Sequence, residues 1–197
     1  MNYGEELAYS YLRLNGFFPL QNFVVHRHGG NELRSDVDVL AVRPPLVYEE
    51  IGGQEGDWDN FVAAQVPLDR ILGVICEVKT GAFTAEDLFA RRNLIAATQR
   101  LGLLASAACE AAADNLMEAP MLQLQDGTIF KLLVSEEPSD GPYLNRTLDD
   151  IRAFLRSRIE RYAHEKFASR HFFPSDLLQD TISAVARSPS RRLAERR

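Results

Sequence analysis

The chain reads as an α/β domain with a mixed central sheet flanked by helices. Three observations predict this class. The segments fall in the order helix, three strands, helix, two strands, helices, which a sheet layered with helices accommodates. One strand, residues 71–79 ("ILGVICEVK"), is apolar almost to its end, as a strand covered on both faces must be. With 197 residues and 46% hydrophobic content, the chain can build one compact core with an appended piece.

"GEELAYSYLRLNGF" predicts the first helix: Leu7, Ala8, Tyr11 and Leu12 recur at helical spacing, and Gly16 is placed to stop it. "FVVHRH" is short and β-branched, "GGNEL" is a turn, and "SDVDVLAV" returns as the second strand of a hairpin. Residues 44–69, rich in Gly, Pro and acidic side chains, read as an insertion looping out of the sheet with about one helical turn. The strand at 71–79 follows. Thr84 with Asp87 resembles a capping box opening a helix that carries Ala90, Leu94, Ala97 and Leu101 on one face. Helix continues through "LGLLASAACEAAADNL", with a break near Gly102. "MLQLQDGTIFKLLVS" is strand, Asp-Gly turn, strand, and "GPYLN" is loop. Thr147 and Asp150 open a helix striped with Leu148, Ile151, Leu155, Ile159 and Tyr162, and Pro174 and Ser175 precede a last one with Leu178, Ile182 and Val185. The core unit is therefore residues 1–135 with 44–69 inserted, 136–187 extend the same domain as helices, and 188–197 ("SPSRRLAERR") form a disordered basic tail.

A net charge of −6 argues against a protein that coats nucleic acid, yet leaves room for an enzyme that touches it through a local basic groove. Cys76 and Cys109 sit in apolar surroundings and read as free thiols of a reducing compartment. No signal peptide and no membrane-spanning run are evident, so a cytoplasmic protein without a membrane partner is expected.

The chemistry concentrates in "ICEVKTG" (residues 75–81). Glu77 and Lys79 lie two residues apart and therefore on one face of the strand. Burying both there idly costs several kcal/mol by rough estimate. Asp36 and Asp38 in "SDVDVLAV" are a second such pair. Carboxylates from adjacent strands can hold one Mg²⁺ or Mn²⁺, which takes oxygen ligands and keeps waters, while a nearby ammonium orients water or stabilises developing charge. Acid, acid and lysine around one metal suits phosphodiester hydrolysis. The bland alternative is a solvated strand end carrying an ion pair.

The ordered set "GEELAYSYLRLNGF", "SDVDVLAV", "ICEVKTG" resembles the PD-(D/E)XK nuclease superfamily, the restriction-endonuclease-like fold, and within it the small Holliday-junction-resolvase-like endonucleases. The resemblance covers roughly residues 4–101. It implies a metal-dependent endonuclease acting on DNA, with Glu5, Asp38, Glu77 and Lys79 meeting at one site, Asp38 and Glu77 as metal ligands, and Mg²⁺ or Mn²⁺ as cofactor. Asp36 stands behind as a further carboxylate or caps the turn; Gln99 is the polar residue that the following helix could add. Glu5 also has a plain reading as a first-turn acid favoured by the helix dipole, with Glu6 its rival. The interval from Asp38 to Glu77 is long for the family, and nothing after Leu101 matches it. The alternative function is a nuclease-fold module that no longer cuts and binds nucleic acid or a protein partner; homodimerisation is left open. His26 and His28 share a strand face but lack a third ligand at zinc spacing.

Overall fold

The computed structural model describes residues 2–25, 35–48, 56–84 and 88–162. Their elements run α1 (Tyr3–Leu14), β1 (Phe18–Val25), β2 (Ser35–Arg43), α2 (Asn60–Gln65), β3 (Ile71–Lys79), α3 (Arg91–Leu101), α4 (Cys109–Glu118), β4 (Met121–Gln123), β5 (Gly127–Ser135), β6 (Leu144–Thr147) and α5 (Leu148–Arg161). None of the described helices is long and apolar enough to cross a membrane.

The strands form one mixed six-stranded sheet in the order β1-β2-β3-β5-β4. β1, β2 and β3 form an antiparallel meander, and β5 lies parallel to β3 after the crossover through α3 and α4. β4 covers the first half of the far edge of β5, and β6 covers the second half in parallel. The apolar run of residues 71–79 is therefore the central strand, buried from Leu72 to Val78, as its sequence requires. On one side of the sheet Val74, Cys76, Phe130 and Leu132 pack against Tyr11, Leu12 and Ile151 of α1 and α5. On the other side Leu40, Ile75 and Leu133 pack against Leu94, Ala97 and Leu116 of α3 and α4. Both cysteines are buried and free.

Helix α1 begins with a complete capping box, Asn2 accepting from the Glu5 N–H while the Glu5 carboxylate accepts from the Asn2 N–H. It ends at Gly16, whose φ of +80° only glycine adopts freely. Gly4 lets the first turn of α1 lie against the end of β3: a Cβ there would stand 2.7 Å from Thr80 Cγ2 and 2.8 Å from Val78 Cγ1. The start of the first helix is thus seated directly on the strand that carries Glu77 and Lys79.

Several elements differ from the sequence reading. Leu144–Thr147, whose first two residues were expected as loop, pairs with β5 because β4 leaves that half of the edge open. The helix expected to open at Thr84 starts at Arg91, with Ala90 as N-cap and no side-chain cap bond; Asp87 lies outside the described residues. Gly102, at φ +68°, ends it as expected. Pro174 to Val185, the terminal tail, and His26 and His28 also lie outside the described residues.

The clearest correction concerns the insertion. Residues 44–69 do join β2 to β3 without adding a strand among the described residues, but their second half is not a projection. Val62 and Val66 belong to the buried core, and Phe61 packs against it. Two buried aspartates clamp the segment. Asp59 caps α2 and accepts from Tyr11 Oη (2.7 Å) and Arg146 Nη2 (2.6 Å), while its N–H donates to Asn15 Oδ1 (2.7 Å). Asp57 accepts from Arg158 (2.7 Å), Arg161 and Tyr162. Arg43 stacks over Trp58 at 4.7 Å and donates to Asn15 and Leu68 backbone oxygens. An open cleft of about 300 Å³ lies between this segment and α5, lined by Arg146, Arg158, Asp59 and Asp150 among others.

Asp59→Ala strands Tyr11 Oη, leaves Arg146 with Asp150 as its remaining acid, and removes a helix cap. It is expected to cost about 3–5 kcal/mol, as breaking a buried ion pair does. Urea unfolding should show the midpoint fall with the slope unchanged; a loss under about 1 kcal/mol would mean the segment is peripheral after all.

Candidate active site

The site grows from the place where β2 and β3 part. Their ladder runs from Arg43↔Leu72 to Val39↔Cys76. One step further Asp38 replaces the backbone as partner: its Oδ2 accepts from the Val78 N–H at 2.7 Å. Val37 packs with Leu40 and Ile75 rather than with Val39, so the side-chain alternation of β2 breaks at Asp38. The aspartate that leads the apolar run thus sits in the gap between two strands, next to the last residues of β3.

Glu77 stands across that gap and is 4% exposed. Its Oε1 accepts from the Phe89 N–H at 2.7 Å. Its Oε2 is buried without a hydrogen-bond partner and lies 3.6 Å from Lys79 Nζ, an ion pair too long to be a hydrogen bond. Burial pushes the Glu77 carboxyl above its ordinary value and the Asp38 charge adds to this, while Lys79 and the Phe89 N–H oppose it. Cys76, next to Glu77 on β3 and paired with Val39 on β2, is a fully buried thiol pushed up by burial and by both carboxylates, and so is inert. Asp38, Glu77 and Lys79 therefore form one electrostatically coupled set at the end of the central strand. Lys79 keeps about a third of its side chain exposed, and Thr80, Gly81 and Ala82 beyond it face solvent.

The other candidates stand apart from that set. Both Glu5 oxygens are engaged by Asn2, through its N–H at 3.0 Å and its Nδ2 at 2.7 Å. This is the capping role that its position in the first turn permits. Gln99 is exposed on α3. Of the buried polar residues of α3, Thr98 is bonded to the Leu94 carbonyl, whereas Asn93, 5% exposed, has its Oδ1 buried and unpartnered. The Asp36 side chain lies outside what is described. Among the described residues no group of three or more His, Cys, Asp or Glu side chains is arranged to hold a metal ion.

Sequence reasoning missed two members of this neighbourhood. Lys131 on β5 is 1% exposed, one of the most completely buried large side chains in the protein. It shares the Glu77 side of the sheet, since Ile75↔Lys131 and Glu77↔Leu133 are register partners in parallel strands. Burial lowers its pKa from 10.5 to about 8, with Glu118 and Glu77 pulling the other way. Its Nζ lies 5.2 Å from the centroid of Phe89. The signal was present: Lys131 is the only charge in a strand buried at every position. Phe89 is the second. It adopts φ +49°, a left-handed conformation that costs a non-glycine residue about 1–2 kcal/mol. Its N–H holds Glu77 and its ring also packs on Tyr143 at 5.7 Å. Nothing in the residue's identity announces that backbone state.

Comparison with protein-family models, curated proteins and solved structures finds no match to this chain.

Lys131 gives a pH-dependence with a definite sign. Between about pH 8 and its ordinary pKa of 10.5, the unfolded chain binds a proton that the folded chain does not. Stability therefore rises with pH across that window. At roughly 1.4 kcal/mol per pH unit, the total gain is about 3 kcal/mol. Lys131→Met is expected to remove this rise and to be the more stable protein at pH 7. Chemical denaturation of both proteins from pH 7 to 10.5 measures it, and parallel curves would contradict the assignment.

Proposed function

We propose that the chain is a metal-dependent endonuclease of restriction-endonuclease-like fold that hydrolyses DNA phosphodiester bonds. One observation carries the reading: a buried glutamate oxygen without a hydrogen-bond partner, beside an ammonium and coupled to a second carboxylate, at the end of the central strand. The order helix, three antiparallel strands, helical crossover and parallel strand supports the fold assignment. The free buried thiols accord with a cytoplasmic home.

The donor set fits Mg²⁺ or Mn²⁺. Both ions accept oxygen ligands, and Mg²⁺ is held by one or two carboxylates with waters completing its shell. Asp38 and Glu77 are those carboxylates, and Glu77 Oε2 is the acceptor without a protein hydrogen bond. The chemistry a bound cation supplies here is Lewis-acid polarisation of the phosphoryl oxygen and acidification of water. Lys79 contributes a donor on the solvent side of Glu77, where it can orient the attacking water or stabilise charge that builds up on the phosphate. The Phe89 N–H and the Val78 N–H fix the two carboxylates, so neither has to be ordered when substrate arrives. The acidic chain needs local cations to receive a polyanion; Lys79 and the exposed Arg92 in the first turn of α3 are two.

A second reading rests on the sealing of Glu77. A carboxylate 4% exposed, with one oxygen held by a backbone N–H, suits a nuclease-fold module that binds nucleic acid or a protein partner without cutting.

Plasmid nicking with Mg²⁺ or Mn²⁺ against an EDTA control separates the two. Glu77→Ala is expected to abolish metal-dependent nicking and weaken Mg²⁺ binding while the fold survives. Lys79→Ala should keep metal binding and lose about 10²–10³-fold in rate, the usual cost of removing one charge-stabilising donor. Lys79→Arg should not restore it, because a planar guanidinium does not fit a compact ammonium site. Wild-type binding of Mg²⁺ without cleavage of duplex, branched or single-stranded DNA would favour the module.

A further inference from the structure

We propose that Lys131 and Phe89 are positioning residues for Glu77, holding its carboxylate so that Oε2 alone is offered to a cation. The inference rests on the metal-dependent reading above and deepens it. Phe89 stays in a left-handed backbone state although its side chain disfavours it, so its surroundings must hold it there. What surrounds it is specific. Its N–H is committed to Glu77 Oε1 at 2.7 Å, and its ring meets the Lys131 ammonium at 5.2 Å and Tyr143 at 5.7 Å. Lys131 reaches the ring from β5, the strand that pairs with β3, so the clamp spans two adjacent strands and the loop before α3. A buried ammonium over an aromatic face is attracted to it more strongly than an exposed one. Lys131 thereby fixes the ring, the ring fixes the backbone N–H, and the N–H takes one of the two Glu77 oxygens.

The consequence concerns denticity. With Oε1 spent, Glu77 meets a cation through one oxygen. That suits the small octahedral shell of Mg²⁺, which keeps its waters, and disfavours Ca²⁺, which takes more oxygens and accepts carboxylates edge-on. Lys131 and Phe89 thus set which divalent ion the site prefers without touching it.

The test uses the full metal-free chain and titrates Mg²⁺, Mn²⁺ and Ca²⁺ salts calorimetrically. Lys131→Met and Phe89→Leu keep bulk and remove the ammonium or the ring. Each is expected to weaken Mg²⁺ binding about 10–100-fold, as losing a residue that orients a ligand does. Ca²⁺ binding should suffer less, so the Mg²⁺ preference falls; Phe89→Tyr should restore it, and Glu77→Gln is the reference for loss of the ligand itself. A purely structural role would change metal-free stability and leave the Mg²⁺ to Ca²⁺ ratio where it was. Amide exchange in the metal-free protein gives a second readout. Protection at the Phe89 N–H should drop about tenfold or more in Lys131→Met while the β3 amides keep theirs. An unchanged ion preference in both variants overturns the proposal. Wild type that binds no Mg²⁺, with Phe89 protection still dependent on Lys131, overturns the metal reading and leaves the clamp standing.

Discussion

Glu77 ends a strand sealed on both faces, and an ionised carboxylate in such a place costs several kcal/mol unless its neighbours answer it. Much of the local structure at this end of the sheet is that answer. The loop before α3 bends Phe89 into a left-handed state to deliver an N–H. β2 stops pairing with β3 so that Asp38 can take the Val78 N–H instead of a backbone oxygen. Lys79 leans back along its own strand, and β5 contributes a lysine from inside the core. Each device runs against a local preference: a strained phenylalanine, an interrupted ladder, a buried amine. Natural sequences carry such conflicts where something other than stability is at stake.

The opposite side of the sheet solves a different problem with the same chemistry. There Asp57 and Asp59 fasten the connection between β2 and β3 onto α5 and β6, using Arg158, Arg161 and Arg146. On the acid side these pairs are satisfied: Asp59 answers Tyr11, Arg146 and its own helix, and Asp57 is shared by three donors. The contrast with Glu77 is instructive. Buried acids that serve packing have their oxygens filled, whereas Glu77 retains an oxygen without a hydrogen-bond partner beside an ammonium that stands back at 3.6 Å.

What the sequence revealed, and what it hid, follows from range. The central strand was legible because seven consecutive buried residues leave an apolar run no surface strand carries, and both hairpins because turn residues mark them locally. That Asp38 and Glu77 lie toward adjoining ends of neighbouring strands was legible because antiparallel strands bring the start of one to the end of the other. Residues 44–69 read as an insertion looping out of the sheet because they are rich in Gly, Pro and acidic side chains, and nothing local marks Asp57 and Asp59 as buried. The partners that bury them, Arg146 and Arg158, lie 87 and 101 residues downstream, beyond any local pattern. β6 was invisible because four residues with no apolar alternation become a strand only when a neighbouring edge is left open. Gln99 was named from its residue type and its helix alone. The helix phase, with Leu94, Ala97 and Leu101 buried, puts Asn93 on the packed face and Gln99 on the wet one.

The sealing of Glu77 bears on both functional readings, and the two differ in what must move. For a module that only binds, the clamp is the end state: the carboxylate is a fixed charge beneath Lys79, and partners meet Lys79 and the exposed Thr80–Gly81 turn. For an enzyme, a cation has to reach Oε2 from the Lys79 side, because Phe89 and Lys131 close the other. Lys79 is half of the door as well as part of the chemistry. It is partly exposed, and at 3.6 Å its contact with Glu77 is loose enough to yield. An ammonium that swings from carboxylate to phosphate as the cation enters exchanges one anionic partner for another and is never left without a counter-charge. That exchange is available only because the rest of the carboxylate is already held by the backbone of Phe89.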